Sequence, residues 1–171
     1  ERVCVVLGDN IIFDNVSSAV SSFEAQESGA KIFLKHVGNP RSYGVAEISG
    51  EKITKIIEKP QTPPSDLAVV GLYMYDRQVF DVISKLKPSV RGELEITDVN
   101  NFYINSGSMT YEVLDGFWGD CGESFDSLKD AANLVADSHL APLDEFFDIE
   151  TPRKASGLCG AQLKRISRIQ K

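Results

Sequence analysis

The chain has 171 residues, 42% of them hydrophobic, so it can bury one core and form one domain or a large part of one. A formal net charge of −7, with lysine and arginine spread thinly, argues against a nucleic-acid surface. No apolar stretch approaches the length of a membrane span, so we expect no membrane partner. The three cysteines (Cys4, Cys121 and Cys159) lie far apart without metal-binding spacing, which predicts a reduced, cytoplasmic protein.

Strand and helix patterns alternate along the chain. Apolar and alternating runs predict strands at residues 3–7, 31–37, 43–48, 52–58, 68–75 and 109–114. Helical patterns cover residues 14–26, 77–86, 96–104 and 123–137, with Asp14 and Thr97 as candidate caps of the first and third helices. Because helices separate most strands and a turn at residues 49–51 makes one hairpin, we predict an α/β fold with a three-layer mixed sheet.

Two aspartates each follow a run that we interpret as a buried strand, and each lies beside glycine. Asp9 follows strand 3–7 and Gly8, and Asp120 lies between Gly119 and Gly122, after strand 109–114. Residues beyond the carboxyl ends of strands in an open α/β sheet face the ligand crevice. A carboxylate there is well placed to hold a divalent metal on a phosphate. The alternative is that each aspartate caps the turn or helix that follows it.

An acid and a base, Glu58 and Lys59, end strand 52–58 immediately before Pro60. The compact charge of a lysine suits a phosphate, and a carboxylate accepts hydrogen bonds from hydroxyl groups. Together with a metal, this pair suggests phosphoryl chemistry. The alternative is a solvated strand end, since Lys52 and Lys55 make the whole segment rich in lysine.

Six motifs, taken in their order and spacing, resemble the sugar-nucleotide pyrophosphorylases, a nucleotidyltransferase family, and within it the glucose-1-phosphate thymidylyltransferase branch. They are Leu7-Gly8-Asp9-Asn10, Pro40-Arg41-Ser42-Tyr43-Gly44-Val45, Glu58-Lys59-Pro60, Val69-Val70-Gly71-Leu72-Tyr73-Met74-Tyr75-Asp76, Leu86-Lys87-Pro88-Ser89-Val90-Arg91-Gly92-Glu93-Leu94-Glu95-Ile96-Thr97-Asp98 and Trp118-Gly119-Asp120-Cys121-Gly122. The resemblance implies a Rossmann-like nucleotide-diphospho-sugar transferase fold. It assigns residues 1–138 to the C-terminal part of that domain, its sugar and metal half, and leaves residues 139–171 as an uncertain tail.

The activity that the resemblance implies is nucleotidyl transfer from a nucleoside triphosphate, in particular dTTP, to a sugar 1-phosphate, in particular glucose 1-phosphate, with release of pyrophosphate. Asp9 and Asp120 would then be Mg²⁺ ligands and catalytic residues. Lys59 would be catalytic and bind the sugar phosphate, and Glu58 would bind sugar hydroxyls.

Four further residues are carried over from the family as substrate-binding. Tyr43 and Gly44 correspond to a turn that faces the sugar, Val69 to a position whose backbone contacts it, and Trp118 to a wall of its pocket. From the residues alone, Tyr43, Val69 and Trp118 could equally be core residues.

The chain departs from the family pattern in two places. The glycine-rich loop that opens the family's domain, and would hold the triphosphate, has no counterpart here, so we expect the first β-α units to be missing. Gly119 and Cys121 also replace the leucine and threonine that usually flank the second metal aspartate, which predicts a more flexible turn.

From the missing loop we expect the 171-residue chain alone to lack pyrophosphorylase activity and to self-associate, and a full-length parent to be a homo-oligomer. The alternative function is that of a non-catalytic remnant that binds sugar phosphates or another protein.

Overall fold

The computed structural model describes residues 1–90, 92–122 and 124–137. In chain order the elements are β1 (Arg2–Val6), β2 (Asn10–Ile12), α1 (Ser17–Ala25), β3 (Ala30–His36), a 3₁₀ turn (Pro40–Ser42), β4 (Gly44–Ser49), β5 (Lys52–Glu58), β6 (Leu67–Asp76), α2 (Val79–Lys85), α3 (Ile96–Asn105), β7 (Met109–Val113), β8 (Trp118–Asp120) and α4 (Phe125–Asp137). The predicted α/β class is confirmed, and most predicted elements shift by only one or two residues at their ends.

A six-stranded mixed sheet forms the centre of the molecule. Its strands follow the order β5-β4-β6-β3-β7, with β1 pairing with β6 as well. The long strand β6 runs antiparallel to β1, β3 and β4, whereas β3 and β7 are parallel. The predicted hairpin is β4–β5, in which Gly44 lies opposite Glu58.

Alternating side chains of the central strands build one apolar core on each face of the sheet. On one face, Ile32, Leu34, Tyr73 and Tyr75 pack with residues of α2 and α3 such as Val82 and Tyr103. On the other face, a second cluster joins the strand residues between them to α1; it comprises Ala19, Phe23, Phe33, Ala68, Val70, Leu72, Met74, Leu114 and Trp118. The molecule therefore has the predicted three layers, with helices on both faces of a mixed sheet.

Two strands predicted as buried are edge strands instead. Within the described residues, β1 pairs only with β6 and β7 only with β3. Every residue of both strands is half-buried or exposed, and Val6 is 58% exposed. The interpretation as buried strands was wrong because an apolar run does not reveal whether a second strand covers its free edge.

Both predicted helix caps are also wrong. Helix α1 begins after Val16, and the side chain of Asp14 instead accepts hydrogen bonds from the backbone N–H of Gly116. Helix α3 begins after Glu95, and the hydroxyl of Thr97 donates to Glu58. In both cases the side chain that the local pattern assigns to the helix end forms a hydrogen bond with a residue distant in sequence instead.

The chain divides into two compact units, Glu1–Ala131 and Ala132–Lys171. Of the second unit, the structure describes residues 132–137, the last turns of α4. The proposed tail at residues 139–171 lies outside the described residues. No helix in the described part of the chain is long and apolar enough to cross a membrane.

Candidate active site

A small ribbon that was not predicted, β2 paired with β8, brings the two sequence-predicted metal ligands together. The strands are antiparallel, with Asn10 opposite Asp120 and Ile12 opposite Trp118. The backbone N–H of Cys121 donates to the carbonyl oxygen of Asp9 over 2.7 Å. Two motifs from opposite ends of the described chain therefore form one turn-and-ribbon unit.

The carboxylates of Asp9 and Asp120 converge on Gly122. A Cβ atom at Gly122 would lie 2.5 Å from Oδ2 of Asp9 and 3.3 Å from Oδ1 of Asp120. The Gly122 N–H also donates to that Oδ1 over 2.9 Å. Glycine is therefore the residue that leaves space at this point, and the two carboxylates fit an ion that prefers oxygen ligands.

Within residues 1–90, 92–122 and 124–137, no group of three or more His, Cys, Asp or Glu side chains could hold a metal. A pair of carboxylates can still bind a divalent cation, whose remaining oxygen ligands come from water or from substrate phosphates.

Asn10 is a residue of this site that the sequence analysis did not single out. Its Nδ2 donates to Oδ1 of Asp9 over 2.9 Å. Its Oδ1 accepts hydrogen bonds from the Gly71 N–H at 2.9 Å and from the Trp118 indole N–H at 2.6 Å. Because two of the three partners are distant in sequence, only the position of Asn10 next to Asp9 could have signalled its role.

The carboxylate of Glu58 is held at the end of β5 by Thr97. The Thr97 hydroxyl donates to Oε2 of Glu58 over 2.6 Å. Across the hairpin, a Cβ atom on Gly44 would already be in van der Waals contact, at 3.4 Å, with both of these oxygens. The predicted pair Gly44 and Glu58 is therefore brought together, and Thr97 joins it as a residue that sequence pattern had assigned to a helix cap.

Lys59 adopts a backbone conformation that is unusual for a residue with a side chain. Its φ is +40°, in the left-handed region, and its N–H donates to the Tyr43 carbonyl oxygen over 3.0 Å. Such strain costs free energy and concentrates at functional sites.

Lys59 also lines a cleft of about 410 Å³, within the range of small-molecule sites. The cleft runs between β5 and the start of α3, and its lining includes Lys55, Glu58, Ser89, Glu95 and Thr97.

Tyr43 and Trp118 connect the β4–β5 hairpin to the β2–β8 ribbon. Their ring centroids lie 5.1 Å apart in an edge-to-face contact. Trp118 is buried in the second core cluster, and its indole N–H bonds to Asn10. The side chain of Val69 packs at the edge of the first core cluster. Core packing thus accounts for much of the burial of Trp118 and Val69. This was the alternative to substrate binding that the sequence left open for them.

Tyr73 is the second residue that the sequence analysis passed over, since it lies in the middle of an apolar strand. Burial raises the pKa of its hydroxyl from 10.0 to about 12, and the negative charges of Glu58, Asp9 and Asp120 add to the effect. This phenol therefore stays protonated at neutral pH. It lies within electrostatic reach of the carboxylates of both halves of the site.

The turn around Asp120 is more closely packed than its glycines predict. A Cβ atom on Gly119 would lie 2.8 Å from Cζ of Phe117, so the ring of Phe117 occupies the space that a side chain would need. The Cys121 N–H is bound to Asp9. These contacts give the turn a defined geometry within the described residues.

Comparison with known proteins agrees with this geometry. The family model for nucleotidyl transferases matches residues 1–138. The glucose-1-phosphate thymidylyltransferase of Neisseria meningitidis serogroup A is 41% identical over 155 residues, which cover 85% of this chain and 54% of that protein. The enzyme of the same name from Mycolicibacterium smegmatis is 45% identical over 139 residues, covering 79% and 48%.

The fold is shared with solved structures. A Bacillus anthracis structure, described as a glucose-1-phosphate thymidylyltransferase in complex with sucrose, matches with a TM-score of 0.76 and 46% sequence identity. The match covers 82% of this chain and 57% of that one. The chain thus spans about half the length of the curated relatives it matches. Nucleotidyltransferases of this kind generally use a divalent metal ion. The family model covers most of the chain, which therefore belongs to the nucleotidyl transferase family.

Proposed function

We propose that this protein transfers a thymidylyl group from dTTP to glucose 1-phosphate and releases pyrophosphate. The observation that carries the proposal is the convergence of Asp9 and Asp120 on one glycine turn, joined through Trp118 and Tyr43 to the Glu58–Lys59 strand end. The named relatives support the choice of substrates. A non-catalytic role is not favoured, because the two carboxylates converge and the relatives are glucose-1-phosphate thymidylyltransferases.

The reaction is an in-line displacement. A phosphate oxygen of the sugar 1-phosphate attacks the α-phosphorus of the triphosphate, a new P–O bond forms, and the bond to the bridging oxygen breaks as pyrophosphate leaves. Such transfers need little covalent help from the protein. Positioning of the two anions and stabilisation of the developing charge supply most of the rate.

Each half of the site has a distinct task in this scheme. Asp9 and Asp120 would hold Mg²⁺, which when bound neutralises charge on the phosphate oxygens. Lys59 would bind the sugar phosphate, and its strained backbone would fix the position of its Cβ atom. Glu58, oriented by Thr97, would accept hydrogen bonds from sugar hydroxyls.

Four further residues would shape the sugar side of the cleft. Gly44 leaves space beside the Glu58 carboxylate, and Tyr43 presents its carbonyl oxygen to Lys59. Val69 would contribute through its backbone, as in the family, and Trp118 through the packing that holds Tyr43 in place.

The test is pyrophosphate release by the full-length protein with dTTP, glucose 1-phosphate and Mg²⁺. We expect turnover that needs both substrates and falls by about two orders of magnitude or more in Asp9→Asn and Asp120→Asn. Asp14→Asn is the matched control, because Asp14 binds the Gly116 N–H and an asparagine keeps an acceptor there. Pyrophosphate release without sugar phosphate, or normal turnover in either metal-ligand variant, contradicts the proposal.

A further inference from the structure

We propose that Asn10 is the positioning residue of the metal site, and that it makes Oδ2 of Asp9 the oxygen that faces the ion. This proposal rests on the proposed role of Asp9 and Asp120 as metal ligands. It assigns a function to a side chain that contacts neither the metal nor the substrate in the scheme above.

The orientation of the Asn10 amide is fixed by two donors. Its Oδ1 accepts from the backbone N–H of Gly71 on β6 and from the indole N–H of Trp118 on β8. A flipped amide would turn its own NH₂ group toward these two N–H groups, leaving both without an acceptor. The NH₂ group must therefore face Asp9, where it donates over 2.9 Å.

The close approach of Asn10 to β6 depends on the missing side chain of Gly71. A Cβ atom there would lie 2.7 Å from Oδ1 of Asn10. The Gly71 carbonyl oxygen also accepts a hydrogen bond from the Leu7 N–H over 2.8 Å. Both backbone groups of one glycine thus fix the turn that carries Asp9 to the central sheet.

The two oxygens of the Asp9 carboxylate consequently differ. Oδ1 accepts from Asn10, while Oδ2 points to the position that a Cβ atom of Gly122 would occupy, close to Oδ1 of Asp120. A hydrogen bond to the oxygen away from the metal holds a carboxylate ligand in one orientation before the ion arrives. Partners of this kind typically change metal affinity by about 10- to 100-fold.

Binding of Mn²⁺ to the 171-residue chain, followed by the electron paramagnetic resonance signal of the free ion, tests the proposal. Asn10→Ala removes the side-chain donor to Asp9. Gly71→Ala places a Cβ atom against the Asn10 amide and so displaces it, although Gly71 lies on β6, which carries no proposed metal ligand. We expect Mn²⁺ affinity to fall by about 10- to 100-fold in Asn10→Ala and in the same direction in Gly71→Ala. Tyr103→Phe is the control, since it removes one side-chain hydrogen bond from a fully buried residue, to Asp76.

Circular dichroism establishes which variants fold. A folded Asn10→Ala chain with the Mn²⁺ affinity of the wild type overturns the proposal, and so does an equal loss in Tyr103→Phe. If Asn10→Ala does not fold, Gly71→Ala decides by the same criterion. A wild-type chain that does not bind Mn²⁺ contradicts the metal site itself, whereas binding that is insensitive to both variants refutes only the role of Asn10.

Discussion

Lys59 combines two properties that a mutation can separate, a positive charge and a left-handed backbone with φ of +40°. Every residue with a Cβ atom is strained in this conformation, whereas glycine adopts it freely. Lys59→Ala and Lys59→Gly therefore remove the same charge but differ in backbone strain.

We expect both Lys59 variants to raise the KM for glucose 1-phosphate far more than the KM for dTTP. Lys59→Gly should be the more stable of the two, by up to about 1 kcal/mol in unfolding free energy. Steady-state kinetics of the full-length protein and thermal melts measure the two effects. Equal KM changes for both substrates would show that Lys59 does not act on the sugar phosphate in the ground state.

The raised pKa of Tyr73 makes the free energy of unfolding fall with increasing pH in the alkaline range. Its pKa is about 12 in the folded chain against 10.0 for an unperturbed tyrosine. Unfolded chains lose this proton first, so the contribution is complete below pH 10 and declines as pH rises to 12. Burial raises the pKa of Tyr75 and Tyr103 as well, so both add to the decline.

Tyr73→Phe should therefore make the fall in unfolding free energy above pH 10 shallower, by up to about 1.4 kcal/mol per pH unit. Urea unfolding at several pH values measures this slope. An unchanged slope in Tyr73→Phe would mean that the Tyr73 phenol ionises as freely in the folded chain as in the unfolded one.

At the scale of elements, Gly122 lies just beyond strand β8 of the β2–β8 ribbon, beside both carboxylates. We predict that its substitution affects metal binding more than folding. Gly122→Ala would place its Cβ atom against Oδ2 of Asp9 and Oδ1 of Asp120. Gly8→Ala is the matched control, because nothing lies within 4 Å of a Cβ atom at Gly8.

We expect Gly122→Ala to raise the Mg²⁺ concentration needed for half-maximal turnover by about 10-fold or more, with little change in melting temperature. Gly8→Ala should leave both quantities near their wild-type values. A Gly122→Ala protein that is activated by Mg²⁺ at the wild-type concentration would argue against a metal between the two carboxylates.

The elements differ in how far sequence predicts them. The hairpin β4–β5 follows from a turn at Gly50, whose φ is +61°, between two apolar runs. The ribbon does not, because β2 and β8 have three residues each and pair across almost the whole described chain. Local pattern contains no information about such a distant pairing, although it identified both aspartates.

The same limit applies to the site residues. Tyr73, Asn10 and Thr97 lie within or beside predicted elements, and their partners come from other strands and helices. The residue pattern at the end of β5 identified Glu58 and Lys59, and the resemblance of ordered motifs gave them roles, whereas only the fold shows what orients them.

At the scale of the whole molecule, the exposed apolar edge near β1 predicts self-association of the 171-residue chain. Val6 is 58% exposed and Leu7 44% exposed, and β1 pairs only with β6 within the described residues. A strand edge with unpaired backbone groups and apolar side chains is a template for pairing with a second copy. Homo-oligomer formation by a full-length protein remains a separate prediction.

Light scattering after size-exclusion chromatography measures this association. We expect the wild-type chain to elute above its monomer mass and Val6→Lys to shift toward the monomer, because an edge lysine opposes strand pairing. Val90→Lys adds the same charge at a fully exposed valine outside β1 and should leave the elution position unchanged. A monodisperse wild-type monomer would contradict the prediction.

The central claim is that Asp9 and Asp120, from opposite ends of the described chain, form one metal site for nucleotidyl transfer. A crystal of the protein soaked in Mn²⁺ tests it most directly, through the anomalous scattering of the ion. We predict one strong peak about 2 Å from Oδ2 of Asp9 and about equally close to a carboxylate oxygen of Asp120. A peak bound to other residues, or no peak while both carboxylates are ordered, would contradict the account.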